Sequence, residues 1–310
     1  MTDLTDKRIL VTGPAGQIAF PLVERLAAEN EVWGIARFSD AGSRERVEAA
    51  GCTTRIVDLT DPDWGDLPDR FDHVLHLAIF QSPEPDYEQA IRVNCEGTAL
   101  LMSRFADAES FLDVSTIAVY DRHPDPAHRY TEADPIGETR QVYSATYSIT
   151  KIAQEAVVRS MARVLGLPST IARMNASYGP NGGLPAYQLD MIVNDVPIPV
   201  RTGGCWFNPI HDDDIVDQVP KLLSVASVPA TIVNWSGDDA VETVEYCDFL
   251  GTLVGKSPTY QFLDDGMRGT AVDTSRRMSL IGDCSVQWRD GFRDMARRRH
   301  PEAYVGDRDD

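Results

Sequence analysis

Apolar residues in much of the chain fall in short runs that are separated by longer amphipathic stretches. The runs are predicted to be strands, and they lie at 7–13, 31–37, 52–60, 71–78, 111–120, 169–175 and, later, 230–237. They are continuously apolar rather than alternating, which is typical of strands buried on both faces. The stretches between them, notably 86–107 and 144–165, have helical patterns. This alternation predicts an α/β fold built on a doubly wound parallel sheet.

The later part of the chain is less regular. Segments 178–187 and 196–210 are rich in glycine and proline and are predicted to be loops. Residues 238–310 mix helical patterns with charge, and we expect them to pack beside the main sheet.

Charge and hydropathy narrow the range of partners. The 310 residues carry a formal net charge of −19, which argues against nucleic acid or an anionic membrane as a partner bound through the overall field. No apolar run approaches the roughly 20 residues that cross a bilayer. The segment MTDLTDKRILVTG lacks the basic region of a signal peptide. We therefore expect a cytoplasmic protein that acts on a small molecule.

Cysteine and histidine spacing gives no sign of a metal site. The five cysteines are far apart, with no CxxC pair, and an odd number does not suggest a disulfide framework. His73 and His76 are three residues apart, but in a predicted strand this spacing places them on opposite faces. We expect reduced cysteines, as in the cytoplasm, and no metal.

The first predicted strand ends in a glycine turn that suits a phosphate. In VTGPAGQIA (11–19), Gly13 and Gly16 are three residues apart and Ala19 holds a third small position. A chain that turns sharply into a helix close to a pyrophosphate leaves no room for larger side chains. The helix N-terminus would offer N–H groups to the phosphates. The turn predicts a dinucleotide site, although similar spacing also occurs in ordinary strand-to-helix turns.

The end of the second predicted strand indicates which dinucleotide is bound. NAD sites place an acidic residue there for the ribose hydroxyls, but this chain has Arg37, with Arg44 nearby. A guanidinium can pair with a 2′-phosphate that a carboxylate would repel. We expect NADP(H) to be preferred and NAD(H) to be possible, unless Arg37 is only a surface cation. Asp58, after the third strand, either meets the adenine amino group or is a turn residue.

Two tyrosines precede a lysine in QVYSATYSITK (141–151). In a helix through this segment, Tyr147 lies one turn before Lys151 and within about 40° of its face, whereas Tyr143 is about 80° away. A phenol with a pKa near 10 is a poor base at neutral pH, and a neighbouring ammonium lowers that pKa. Tyr147 is therefore the better candidate for a proton carrier. The alternative is a solvated pair on a surface helix.

Two hydroxyl side chains come at the end of a strand that is predicted to be central. Ser115 and Thr116 are placed at the C-terminal end of a parallel strand, which is where such sheets bind ligands. A hydroxyl at this position can donate to a substrate oxygen beside the tyrosine.

Together these segments resemble the extended short-chain dehydrogenases/reductases of the NAD(P)-dependent epimerase/dehydratase type. The motifs appear in the family's order: TGPAGQIA (12–19), DL (58–59), HLA (76–78), NCEGT (94–98), STIAVY (115–120), YSITK (147–151), RMNASYGP (173–180) and HDDD (211–214). The resemblance implies a Rossmann fold with a small C-terminal substrate-binding region. We accordingly expect a dinucleotide-binding domain at 1–175, with its sheet completed by about 209–237, and a substrate-binding region at 176–208 and 238–310.

The resemblance also implies residue roles. Tyr147 would be the acid/base, Lys151 would bind the nicotinamide ribose and lower the tyrosine's pKa, and Thr116 would orient the substrate oxygen. Asn94 matches a family asparagine that is more plausibly structural. The remaining residues implied at the cofactor are Gly13, Gly16, Gln17, Ile18, Arg37, Asp58, Leu59, Leu77 and Ala78.

The chain departs from the family pattern where nucleotide sugars bind. Many such enzymes have an asparagine three residues before the glycine of YGP, where this chain has Ala176, and an arginine four residues before the histidine of the HDDD segment, where it has Phe207. A lost charge-assisted pair with a diphosphate forfeits roughly 1.5–3 kcal/mol, although Arg201 could substitute. Trp206 and Phe207 suggest an apolar wall, or simply core packing, and Ser177 is expected near the substrate.

Three functions follow from these observations. The main prediction is an NADP-dependent oxidoreductase that moves a hydride between nicotinamide and a small secondary alcohol or ketone. The second is a nucleotide-sugar epimerase or dehydratase with tightly bound NAD(P); against the dehydratase, Ile117 stands where those relatives tend to place an acid. The third is a non-catalytic NAD(P)-binding sensor. The resemblance also implies a homodimer, formed through a helix pair that includes the helix bearing Tyr147.

Overall fold

The computed structural model of the protein describes residues 4–137, 141 and 143–306. The chain divides into two compact units that alternate along the sequence. Unit 1 comprises Met1–Val119, Ile136–Arg173 and Val216–Val233, and unit 2 comprises Tyr120–Pro135, Met174–Ile215 and Asn234–Asp310.

Strands and helices alternate through most of the chain. The strands are β1 (Arg8–Thr12), β2 (Glu31–Ala36), β3 (Thr53–Ile56), β4 (His73–His76), β5 (Ser110–Thr116), β6 (Ser169–Met174), β7 (Ser177–Gly179), β8 (Gly182–Gly183), β9 (Ile198–Arg201), β10 (Trp206–Phe207), β11 (Ile210–His211), β12 (Thr231–Trp235), β13 (Val241–Glu242) and β14 (Tyr260–Leu263). The α-helices are α1 (Ala19–Leu26), α2 (Ser43–Ala49), α3 (Tyr87–Ile91), α4 (Gly97–Arg104), α5 (Tyr147–Leu165), α6 (Leu184–Val193), α7 (Asp212–Ser224), α8 (Thr243–Leu253), α9 (Ser275–Ile281) and α10 (Trp288–Arg299). A π-helical turn at Arg92–Glu96 joins α3 to α4, and a 3-10 turn at Ile117–Val119 follows β5.

Seven strands form one large sheet in the order β12-β6-β5-β4-β1-β2-β3. Strand β1 pairs in parallel with β2 and β4, and parallel pairs also join β2 to β3 and β4 to β5. Six of the seven strands lie within runs that were predicted from the sequence, and β5 begins one residue before its run, so the doubly wound parallel sheet is confirmed. The strand order reverses between β1 and β4, and a crevice for ligands forms at such a point, outside the carboxyl ends of the strands.

The core of unit 1 explains why these runs are continuously apolar. Leu10, Val74 and Phe111 on the strands pack with Leu101 on α4 and Val158 on α5. Each such side chain contributes roughly 1.5–3 kcal/mol on burial. Helix α5 departs from this pattern, because the buried face of its first half is polar and includes Lys151, Gln154 and Glu155.

The prediction that segments 178–187 and 196–210 are loops is wrong for much of their length. These segments contain strands β8, β9 and β10, the end of β7 and the start of α6. The glycines mark close backbone approach: a Cβ on Gly183, whose φ is +103°, would lie 2.0 Å from the Ser177 carbonyl oxygen. Strands of two residues are too short to show an alternating pattern. The core of unit 2 includes Tyr178, Tyr246 and Phe292.

Within the described ranges, no helix is long and apolar enough to cross a membrane. The same residues include no cluster of three or more histidine, cysteine or acidic side chains that could hold a metal ion.

Candidate active site

The glycine turn after β1 leaves space that larger side chains would fill. Gly13 has a φ of +66°, and its N–H donates to the Ile35 carbonyl oxygen at 2.9 Å. A Cβ at Gly13 would lie 3.1 Å from the Ala78 Cα, and one at Gly16 would lie 3.1 Å from the Gly13 carbonyl oxygen. The positive φ and these short distances require glycine, and the resulting concave backbone fits the pyrophosphate of a dinucleotide.

A cleft of about 310 Å³ opens beside this turn. Most of the predicted cofactor residues line it, namely Gly13, Gly16, Arg37, Asp58, Leu59, Leu77 and Ala78. Gln17 and Ile18 are not among its lining residues; they lie between the turn and α1. Ser39, Asp40 and Ser43 also line the cleft. These three were not predicted, because they follow the end of β2 without a recognised motif.

Asp58 lies at the rim of the cleft and also closes a turn. One of its oxygens accepts from the Thr60 backbone N–H at 2.9 Å and from the Thr60 hydroxyl at 2.8 Å. These hydrogen bonds, with smaller contributions from the positive charges of Arg37 and Arg92, lower the pKa of Asp58. Asp58 therefore closes a turn and stays ionised near Arg37, and its contact with an adenine amino group stays a prediction.

A buried hydrogen-bond chain fixes the strand ends that form one wall of the cleft. The Thr12 hydroxyl oxygen accepts from the backbone N–H groups of Leu77 and Ala78 at 3.1 and 2.9 Å. Because that oxygen is already an acceptor, its proton goes to Nδ1 of His76, 2.8 Å away. Nε2 of His76 then carries the ring proton toward Thr98 at 2.9 Å. Burial lowers the pKa of His76 to about 3, so the ring is neutral.

Tyr147 and Thr116 are brought together, as predicted. Helix α5 begins at Tyr147, not near 144, and β5 ends at Thr116. Burial raises the pKa of Tyr147, and a hydrogen bond with Thr116 opposes that rise. Tyr143 lies before the helix and is 44% exposed. Tyr147 is therefore the tyrosine of the helix that carries Lys151.

The charge of Lys151 is not among the causes of the pKa change of Tyr147, so the expected lowering of that pKa by Lys151 stays a prediction for the enzyme with its dinucleotide bound. Lys151 is 3% exposed, and its ammonium donates to the Val114 carbonyl oxygen at 2.7 Å. Burial lowers the pKa of Lys151, while the negative charges of Asp113 and Glu155 oppose that change. The positive charge is thus balanced by buried acids rather than directed at the phenol.

Ser115 was expected at the strand end as a possible donor to a substrate oxygen, but its hydroxyl has another partner. It is buried and donates to Glu155 at 2.6 Å. Glu155 in turn forms a buried, two-point ion pair with Arg173, with distances of 3.0 and 2.8 Å. The hydroxyl that remains beside Tyr147 is that of Thr116.

Asn94 has a structural role. Its side chain accepts from the Phe80 N–H at 2.7 Å and donates to the Phe80 carbonyl oxygen at 3.2 Å. Its amide nitrogen also donates to Thr150 on α5 at 3.2 Å. These bonds tie the loop after β4 to the helix that carries the tyrosine.

In unit 2, the two predicted substrate residues are mostly buried. Ser177 lies on β7 and Phe207 on β10, with 7% and 6% of their surfaces exposed. Both side chains are therefore largely part of the packing of this unit.

Unit 2 also contains a group of arginines, of which only Arg201 was singled out from the sequence. Burial lowers the pKa of Arg268, and the positive charges of Arg122 and Arg201 lower it further, while Tyr130 and the negative charge of Asp121 oppose the change. Nη2 of Arg268 donates to the Tyr120 carbonyl oxygen at 2.7 Å, while its buried Nη1 has no hydrogen-bond partner among the described residues. The group therefore carries positive charge and a donor that a ligand could use.

Comparison with known proteins identifies the family of this chain. The model of the NAD dependent epimerase/dehydratase family matches residues 9–227. A dTDP-glucose 4,6-dehydratase of Mycolicibacterium smegmatis is 32% identical over 239 residues, which is 72% of this chain and 71% of that protein. The low-salt glycan biosynthesis protein Agl12 of Haloferax volcanii is 30% identical over 311 residues, covering 92% of this chain and 96% of that protein.

Solved structures show the same fold. A UDP-glucuronic acid 4-epimerase from Bacillus cereus, in complex with UDP-glucuronic acid and NAD, superposes with a TM-score of 0.80. It is 20% identical and covers 95% of this chain and 99% of that chain. The glycine turn and the Tyr147–Thr116 pair agree with the family match. This chain therefore belongs to the NAD-dependent epimerase/dehydratase family and is an enzyme of the extended short-chain dehydrogenase/reductase type.

Proposed function

We propose that the protein is a nucleotide-sugar epimerase that uses NAD(P) within each catalytic cycle. The observation that carries the proposal is that the Thr116 hydroxyl, at the carboxyl end of β5, lies near enough to Tyr147 at the start of α5 to affect the pKa of the phenol. Two of the relatives named above are a dTDP-glucose 4,6-dehydratase and a UDP-glucuronic acid 4-epimerase. They support this reading over our first prediction, an oxidoreductase of small alcohols and ketones. The intact tyrosine and lysine argue against a sensor without activity.

The residues present fit the chemistry that such a reaction needs. When bound, the dinucleotide supplies a hydride acceptor that later returns the hydride. Tyr147 takes the proton of the sugar hydroxyl as the hydride leaves its carbon, and gives the proton back when the hydride returns to the opposite face. Thr116 donates to the same sugar oxygen. Hydride and proton both return, so the cycle is redox-neutral. The raised pKa of Tyr147 means that the charge of Lys151 has to act on the phenol in the loaded enzyme.

Epimerisation is favoured over dehydration by the residues that follow Thr116. Loss of water from a sugar requires an additional acid and base, and the dehydratases resembled here tend to carry an acid directly after this threonine. This chain has Ile117 and Ala118, both buried and apolar. We therefore propose a reaction that ends with the hydroxyl restored.

The arginines of unit 2 support an anionic nucleotide as part of the substrate. Phe207 stands where related sugar-nucleotide enzymes have a cation, but the positive charges of Arg201 and Arg122 both act on Arg268, with the negative charge of Asp121 opposing them. Arg268 has a buried donor without a partner among the described residues, and an unpaired buried donor is costly unless a ligand binds it. We propose that this group binds the diphosphate, with unit 1 as the dinucleotide-binding part and unit 2 as the substrate-binding part.

We propose that the cleft accepts NADP(H) and prefers it to NAD(H). Arg37 lines the cleft with the hydroxyl residues Ser39 and Ser43, which suits a 2′-phosphate, whereas Asp40 opposes it. The solved relative contains NAD. Affinities for both dinucleotides, measured before and after Arg37→Asp, test the preference. Arg44→Gln is the control, because Arg44 is held by Glu48 at 2.9 Å and does not line the cleft. An unchanged preference in Arg37→Asp would remove the cofactor argument.

We also propose a homodimer and a cytoplasmic location. Apolar side chains on helices α3, α4 and α5 are about 42% exposed, including Ile91, Leu100 and Ile149, and a second copy would cover them. All five cysteines are free, which fits a reducing compartment. Sedimentation of wild type and Leu100→Lys tests the dimer.

A panel of UDP- and dTDP-linked sugars tests the reaction itself. Proton NMR should show a 4-epimer forming without a net change in reduced-nicotinamide absorbance. Tyr147→Phe should lose roughly 10²–10⁴-fold in turnover, while Tyr143→Phe keeps it. Net NADPH consumption with simple ketones, and no epimer from any nucleotide sugar, would restore the oxidoreductase reading.

A further inference from the structure

A carboxylic acid lies in the middle of the central sheet, where apolar residues are expected. Asp113 is on β5, is 0% exposed, and pairs in register with His76 of β4. One of its oxygens accepts a hydrogen bond from the Gln154 amide at 2.5 Å. The other oxygen, Oδ2, is buried and has no hydrogen-bond partner among the described residues. Burying a carboxylate with so few partners is costly, so a compensating role is expected.

One cation near Asp113 is the ammonium group of Lys151. Gln154 is three residues after Lys151 on α5, and the Lys151 ammonium donates to the carbonyl of Val114, the residue next to Asp113. The interaction between the charges of Asp113 and Lys151 affects the pKa of both groups. His76 faces the same region from β4, but its ring is neutral. The structure therefore holds one buried acid and one buried amine between β5 and α5: Gln154 donates to the acid, and the carbonyl group of the next residue on β5 accepts from the amine.

The other ionisable groups near Lys151 are either paired with another residue or uncharged. Glu155 accepts from Ser115 and from two nitrogens of Arg173, so the guanidinium neutralises its charge. Cys95 faces the lysine from the π-helical turn, and burial raises the pKa of its thiol to about 11, so it remains neutral at physiological pH. Of the two carboxylates whose charges act on the ammonium, Asp113 is thus the one without an ion pair to another cation among the described residues.

We propose that Asp113 is a positioning residue, the counter-ion that keeps Lys151 charged at the pH at which the enzyme works. A buried ammonium loses its proton readily unless an opposite charge lies nearby. An uncharged Lys151 could neither lower the pKa of Tyr147 nor donate all of its hydrogen bonds to a ribose. The consequence for catalysis rests on the proposed function, but the charge pairing itself does not.

Lysine NMR tests the pairing without any cofactor. The chain has only four lysines, so the resonance of Lys151 in protein labelled with ¹³C-lysine can be assigned by substituting the other three. In Asp113→Asn, which keeps the volume and the acceptor for Gln154, the Lys151 ammonium should lose its proton about one to three pH units below wild type. Leu112→Val on the same strand is the control and should leave that midpoint unchanged. Equal midpoints in wild type and Asp113→Asn would overturn the proposal.

Dinucleotide affinity tests the consequence. Between pH 6 and 9, Asp113→Asn should bind NAD(P)(H) as well as wild type at the acidic end and progressively less well at the alkaline end, because its Lys151 is neutral sooner. A loss of affinity that is the same at every pH would indicate a purely structural role and overturn the proposal. If the wild type binds neither dinucleotide, the proposed function fails, and the lysine titration still decides the role of Asp113.

Discussion

Asp113→Asn also makes a quantitative prediction about stability. Burial, the largest cause, raises the pKa of Asp113 to about 6, compared with about 3.9 for an ordinary aspartic acid. A difference of about two pH units corresponds to ~3 kcal/mol, at about 1.4 kcal/mol for each unit. The ionised carboxylate therefore lowers the free energy of unfolding by roughly that amount, and asparagine does not carry this cost.

Because the pKa of Asp113 is raised in the folded protein, the pH range in which the wild type loses stability can be predicted. Below about pH 4, Asp113 is protonated in both the folded and the unfolded protein, so wild type and Asp113→Asn should be similarly stable. As the pH rises from about 4 through 6, only the wild type loses stability, because its folded state holds the proton more tightly than its unfolded state. At pH 7 the variant should be more stable by ~3 kcal/mol. Its new N–H group can also donate to Gln154 Oε1, which has no hydrogen-bond partner among the described residues.

Urea denaturation of both proteins from pH 4.5 to 7.5 measures this difference directly. Subtracting one curve from the other cancels the many other groups that titrate in the same range. Leu112→Val should be less stable than wild type by about 1 kcal/mol at every pH. A difference for Asp113→Asn that does not vary with pH, or a wild type that is the more stable protein at pH 7, would refute the conclusion that Asp113 is a strained, ionised carboxylate in the folded protein.

Three further changes test other parts of the structure. Gly13→Ala should weaken dinucleotide binding by at least tenfold in a fluorescence titration, because its Cβ would lie 3.1 Å from the Ala78 Cα; unchanged affinity would mean that the turn does not hold the pyrophosphate. Glu155→Gln should cost about 3–5 kcal/mol in urea denaturation, because it leaves the Arg173 guanidinium buried without its partner charge; a loss below about 1 kcal/mol would show that the guanidinium is solvated. Arg268→Gln should raise KM for a nucleotide sugar far more than it changes kcat, and equal kinetics would exclude the arginine from diphosphate binding.

Much of the fold could be predicted from the sequence, because a parallel sheet buried on both faces makes each strand a continuous apolar run. The glycine turn was equally readable, since Gly13 adopts a conformation that other residues avoid. Strands of two residues, such as β8 and β10, could not be predicted, because their pairing depends on segments that are distant along the chain.

The candidate site was only partly predictable, for a physical reason. Helical spacing placed Tyr147 and Lys151 on one face, but it could not show that the lysine ammonium bonds to the Val114 carbonyl oxygen. The partner of a buried charge is set by tertiary packing. The role of Asp113 had one readable signal, an acidic residue inside an apolar strand, and its meaning depended on what α5 places beside it.

The path of the chain has a consequence for how this enzyme can be altered. The backbone passes from one compact unit to the other five times, at 119/120, 135/136, 173/174, 215/216 and 233/234. Neither unit can therefore be produced as a single uninterrupted polypeptide. Recombination at one point between two relatives cannot exchange unit 2 while keeping unit 1 intact. Exchange of unit 2 requires coordinated replacement of its three separate segments.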